Sequence, residues 1–201
     1  FQVARARGFD PQSTLTAMDI EGVDVAVMYG TRGRQILMHD DLAPDYAAAL
    51  ARAYNNWAHD YCGLDPKRLK FVAVLPGSDV DEMVKEARRA VVELGAVSVR
   101  NPFLPIGKWL HEPEYDALWN LACELDFPIS AHGEYRQRRF HPFRELEGGR
   151  REDMQLALRG LDHALGFPCD NMTTLGHYIF TGILERFPKL RLGILESNAG
   201  W

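Results

Sequence analysis

Five short apolar runs punctuate the chain: DVAVMY at 24–29, LKFVAVL at 69–75, GAVSVR at 95–100, FPISA at 127–131 and LRLGILE at 190–196. They are continuous rather than alternating, as expected of strands covered on both faces. Between them the apolar positions fall at helical spacing. Leu50, Tyr54, Trp57, Ala58 and Tyr61 follow Asp41 and Pro44, and Val80, Met83, Val84, Ala87, Val91 and Leu94 form a stripe of period 3.6. Ser78 or Asp79 is placed to cap the start of that second helix, and Gly95 to end it. A third helix is predicted after Pro113 through Tyr115, Leu118, Trp119, Ala122 and Cys123. Two more are predicted over 152–187, the first through Met154, Ala157, Leu158, Leu161 and Ala164, the second through Leu175, Ile179, Ile183 and Phe187. Strands that alternate with helices imply right-handed crossovers and a parallel sheet, so the predicted class is α/β.

In such folds ligands gather at the carboxyl ends of the strands. The runs here finish in Tyr29-Gly30, Pro76-Gly77-Ser78, Arg100-Asn101, His132-Gly133-Glu134 and Glu196-Ser197-Asn198. Polar and metal-competent groups are therefore expected on one rim. The stretch 133–151, GEYRQRRFHPFRELEGGRR, interrupts the pattern as a long polar loop rich in arginine. A loop of that length in a compact domain is usually functional or mobile.

Composition narrows the class only a little. The 201 residues are 46% hydrophobic and 25% charged, values ordinary for a globular domain with a core of its own. The net charge of -5, without a long basic stripe, gives no nucleic-acid footprint. No run approaches the length of a membrane span and no signal-peptide layout opens the chain, so a cytoplasmic location without membrane contact is expected. The three cysteines are scattered and include no C-x-x-C, which favours neither a disulfide framework nor a zinc knuckle. The chain opens on Phe1 and closes on Trp201, and both ends are expected to be internal to a longer protein.

Common nucleotide and hydrolase signatures are missing: no G-x-G-x-x-G follows the first strand, and neither a P-loop nor a G-x-S-x-G occurs. His132 stands out instead, since an imidazole at a strand end offers one nitrogen to a divalent metal while the other is oriented by an acceptor. A histidine there also serves as a plain loop strut. Glu196 has the same position on the last run, where a carboxylate is a ligand, a proton carrier or the partner of an arginine. His177 lies within a helical pattern, as a structural histidine or a site residue. Arg100 and Asn101 are candidates to hold a substrate carboxylate, because the guanidinium is a planar fork that matches one, although an arginine in this place also serves simply to hold loops together. Glu134 and Arg136, in the arginine-rich loop, are further substrate-binding candidates, with a plain solvated loop as the alternative.

Several stretches together resemble a known family. MDIEGVDVAVMYGTRG, NNWAHDYCGLDPKRLKFVAVLPGSDVDEMVKEARRAV, HEPEYDALWNLACELDFPISAHGE and above all ILERFPKLRLGILESNAGW are similar to the amidohydrolase-related metal-dependent hydrolases, whose members include aminocarboxymuconate-semialdehyde decarboxylase and aromatic-acid decarboxylases. The resemblance implies a (β/α)8 TIM-type barrel that is incomplete here, with strands 2 to 6 present and the first and last strands missing. It also implies a single partial domain over 1–201, with 133–151 as an insertion. One divalent metal, zinc or alternatively manganese, is implied at the strand ends. His132 matches the fifth-strand histidine ligand, and the remaining ligands are expected outside this chain.

The function expected on this basis is a metal-dependent hydrolase that acts through metal-activated water on a small carboxylate-bearing or cyclic substrate. Glu196 or His177 would handle protons. The alternatives are a non-oxidative decarboxylase of an aromatic or muconate-type acid, and a non-catalytic small-molecule-binding barrel. A homodimer is implied for the full-length protein, with a small acidic molecule as substrate.

Overall fold

The computed structural model describes residues 2–30, 37, 42–105, 107–133 and 152–197, with the backbone alone at 2–3 and 152–163. The chain divides into two compact units, Phe1–Gly107 and Lys108–Trp201.

In the first unit three parallel strands pair in chain order. β1 (Ala26–Met28) sets Ala26 opposite Leu69 of β2 (Leu69–Ala73), and β2 sets Ala73 opposite Val99 of β3 (Ser98–Arg100). The continuous apolar run of β2 is explained by its cover: Phe71, Val72 and Ala73 are all buried. β1 by contrast exposes Val27. Two short helices precede the sheet, α1 (Gln2–Ala6) and α2 (Pro11–Glu21). The second starts where the Asp10 side chain accepts from the Ser13 amide and Pro11 takes the first turn, and it stops at Gly22 in the left-handed conformation.

α3 (Pro44–Cys62) and α4 (Val80–Val92) cover the sheet. Of the two cap candidates for α4, Asp79 is used, its carboxylate accepting from the Glu82 amide at 3.0 Å. The junction of α3, α4 and β2 is polar and closed. Asn55, fully buried, donates to the Val74 carbonyl at 2.9 Å, accepts from the Val74 amide at 2.9 Å and donates to Glu86 at 2.7 Å. It thus serves the backbone just past β2 as a neighbouring strand would, and the Arg89 guanidinium completes the buried Glu86 carboxylate.

In the second unit β4 (Ile129–His132) and β5 (Leu192–Leu195) pair in parallel, with Ile129 opposite Leu192 and His132 opposite Leu195. α5 (Asp116–Glu124) follows a 3-10 turn at Pro113–Tyr115. Its Trp119 is buried edge-on to Tyr178 and donates its indole N–H to the Leu110 carbonyl at 3.3 Å. The two helices expected over 152–187 are arranged differently. A single 29-residue α6 (Glu152–Phe180) runs through the gap between them and contains Pro168, and only the short α7 (Ile183–Arg186) follows. The break falls at Gly182, whose positive φ of 75° ends the helical path that the internal proline leaves intact.

Among the described residues no helix is long and apolar enough to cross a membrane.

Candidate functional site at the ends of β4 and β5

The parallel register decides which side chains meet. His132 is the last residue of β4 and lies opposite Leu195, the last of β5, so the next residue on the second strand, Glu196, emerges beside the imidazole. Nε2 of His132 and Oε2 of Glu196 are in close ion-pair contact. Nδ1 of His132 lies 3.3 Å from the Gly133 carbonyl, which can only accept, so Nδ1 carries the proton of that bond. An imidazole nitrogen and a carboxylate oxygen in contact share a proton or a cation between their lone pairs.

Backbone and packing both shape the pair. Glu196 adopts a φ of 56°, in the left-handed region, which costs a residue with a Cβ roughly 1–2 kcal/mol. Such an outlier at a strand end is where functional constraint is commonly stored. The His132 side chain is 14% exposed and that of Glu196 50%, so the histidine faces the interior and the carboxylate faces solvent. The ring of Phe167, from α6, stands perpendicular to that of His132, with 5.6 Å between the centroids and 89° between the planes.

His177 is held elsewhere on the same helix. Ten residues beyond Phe167, it is displaced roughly 15 Å along the axis. There its Nε2 lies 2.8 Å from Nδ1 of His111, and its ring stacks on Trp109 at 5.6 Å and 5°. Burial first, and the neighbouring His111 second, hold its pKa below the ordinary imidazole value. Of the two proton-handling candidates, then, Glu196 meets His132 and His177 does not.

Arg100 and Asn101 belong to the first unit. Arg100, the last residue of β3, is buried with its guanidinium 5.6 Å above the Phe103 ring, and Asn101 is half-buried after it. Glu134 and Arg136 lie outside the described residues. The residues that sequence reasoning passed over are Phe167, Gly133 and Asn171, the last of which donates to the Leu195 carbonyl at 2.7 Å. A lone asparagine on a helix gives no signal of such a role, and only the glycine directly after His132 hinted at a close approach.

The imidazole nitrogen and carboxylate oxygen are donors of the kind a divalent metal takes. The two are by themselves an incomplete donor set, and no group of three such side chains occurs among the described residues.

Known proteins place these observations. The amidohydrolase family model matches residues 3–200. The decarboxylase orsB of Emericella nidulans is 31% identical over 128 residues, which are 64% of this chain and 38% of that protein. The structure of 2,6-dihydroxybenzoate decarboxylase from Rhizobium superposes with a TM-score of 0.71 at 20% identity, over 89% of this chain and 53% of that one. That of 5-carboxyvanillate decarboxylase from Novosphingobium aromaticivorans, solved with manganese and 3-methoxy-4-hydroxy-5-nitrobenzoic acid, gives 0.72 at 24% identity, over 90% and 48%. The chain therefore spans about half the length of the solved structures and less of the fungal relative.

The expected fold, α/β of the incomplete barrel type, stands. The expectation of a hydrolase working through metal-activated water is overturned, because the sequence relative and the two solved structures just named are decarboxylases. The aminocarboxymuconate-semialdehyde branch is not singled out among them. The metal that accompanies the Novosphingobium structure is manganese, and nothing favours zinc.

Proposed function

Because the chain belongs to the amidohydrolase family, we propose that the protein is a non-oxidative decarboxylase of a small aromatic acid that works with a divalent metal ion. The observation that carries this reading is the contact between His132 Nε2 and Glu196 Oε2 at adjacent parallel strand ends. It is supported by the decarboxylase relatives, one of them solved with manganese and a nitrobenzoic acid.

The reaction replaces a carboxylate by a proton: the bond between ring carbon and carboxyl carbon breaks, carbon dioxide leaves, and the ring carbon keeps the electron pair and takes the proton. A group at the site must deliver that proton and be reloaded from water. Glu196 is suited to it, being half-exposed on one side and against an imidazole on the other. His132 would hold the metal through Nε2 while Nδ1 stays on the Gly133 carbonyl, a bond that fixes its tautomer. The metal, when bound, would neutralise and orient the substrate's carboxylate.

The test uses the full-length protein with a panel of hydroxylated benzoic acids, following release of carbon dioxide before and after removal of metal. Turnover that is lost on chelation and restored by manganese is expected. No turnover across the panel with manganese present would overturn the reading.

A further inference from the structure

The middle of α6 leans on the two strand ends, at points one helical turn apart. Phe167 and Asn171 are four residues apart and so share a face. Phe167 meets His132, as described, and Gly133 lets it come so near: a Cβ on Gly133 would lie 2.1 Å from Cδ1 of Phe167 and 2.7 Å from its Cα. The second of those atoms is backbone, so the helix itself abuts the end of β4. Asn171, 1% exposed, reaches the end of β5, where its amide nitrogen donates to the Leu195 carbonyl at 2.7 Å.

That carbonyl is one half of the peptide that joins Leu195 to Glu196. Holding it fixes the plane of the peptide, and φ of Glu196 is the rotation about the bond that leaves this plane. The unusual φ of 56° at Glu196 is therefore set on one side by a buried side chain from another element. Released from Asn171, the peptide is free to turn toward the extended conformations a glutamate prefers, and the carboxylate then swings off Nε2 of His132.

We infer that Asn171 is a positioning residue for the Glu196 and His132 pair. It acts through the Leu195 carbonyl, and Phe167 steadies the imidazole from the same helix face. The inference rests on the proposed proton-transfer role of Glu196 for its kinetic consequence, but its structural content stands apart from that role.

The experiment compares Asn171→Leu, which keeps the bulk and removes the donor, and Asn171→Ser, which removes the reach with a smaller change in polarity, in the full-length protein. Two readouts are taken. The first is the low-field imidazole proton of His132 in metal-free, histidine-labelled protein, a signature of its bond to Glu196. It is expected in the parent and lost or broadened in both variants. The second is a kinetic cycle with Glu196→Gln. Loss of Asn171 is expected to lower kcat at least about tenfold with KM little changed, as for a misplaced reacting group, and to have no further effect once Glu196 is glutamine. Retention of the His132 signal in folded variants would overturn the inference, as would an equal loss of kcat in the Glu196→Gln background. If the parent turns over no aromatic acid, the decarboxylase reading fails by itself, and the His132 signal still decides the role of Asn171.

Discussion

Glu196 meets His132 because β4 and β5 run in parallel with Leu195 opposite the histidine, so the residue after the pairing ends emerges beside Nε2. Neither strand alone would make the pair. Replacing Glu196 by glutamine keeps the shape and removes the carboxylate, and kcat is expected to fall about 10²- to 10⁴-fold, the usual contribution of a placed proton carrier. KM should change much less. A steady-state comparison on the best aromatic acid of the panel checks this, and an undiminished kcat would remove Glu196 from the reaction.

Gly133 is a second point of leverage. Its missing side chain is what admits the backbone of α6 at Phe167, and a methyl there must displace a helix rather than a flexible side chain. Gly133→Ala is expected to destabilise by about 1–3 kcal/mol, the range for an overpacked core position. Urea unfolding measures it. Gly193, where an added Cβ would meet nothing within 4 Å, is the matched control and should tolerate alanine far better on that count.

Much of this was legible in the chain. Continuous apolar runs marked all five strands to within a few residues, and Asp79 with Gly95 bracketed α4, because burial on both faces and the open ends of helices each leave a local signature. α2 leaves no apolar stripe in the sequence, since only Ser13, Leu15 and Met18 of its residues are buried, and only Asp10, Pro11 and Gly22 mark its ends. His132 and Glu196 could be named from their positions at strand ends, but their contact depends on register, which no local pattern encodes. His177 illustrates the same limit. Its partner His111 lies 66 residues away, and the apolar spacing over 152–187 is interrupted although one helix runs through it, so the pattern does not show that His177 and Phe167 share that helix.

The pair of histidines makes the stability of the second unit sensitive to acid. Burial and His111 depress the pKa of His177, so the folded chain binds this proton less readily than the unfolded chain, whose imidazole titrates near 6.5. The contribution is complete above that value and is lost as pH falls through the lower, folded one. The direct bond to His111 needs a lone pair on one of the two rings, and double protonation removes it. The urea midpoint should therefore decline as the pH falls below about 6.5 in the parent, and decline less in His177→Gln. Parallel curves for the two proteins would show that another group governs the acid limb.

Asn55 concentrates the first unit's polar core in one side chain. It pairs with both the amide and the carbonyl of Val74 and with the Glu86 carboxylate, and all three bonds are buried. Each group deprived of a buried partner costs about 1–3 kcal/mol, and Val74 alone presents two of them. Asn55→Ala is therefore expected to destabilise by about 3 kcal/mol or more, with the amide of Val74 losing its protection from hydrogen exchange while that of Ile129 in β4 keeps it. Replacing Glu86 by glutamine should cost less, because Asn55 would keep both of its bonds to Val74 and a neutral acceptor would remain for its amide. A loss for Glu86→Gln as large as that for Asn55→Ala would place the stabilisation in the charged Glu86 and Arg89 pair instead of in the bridge to the strand.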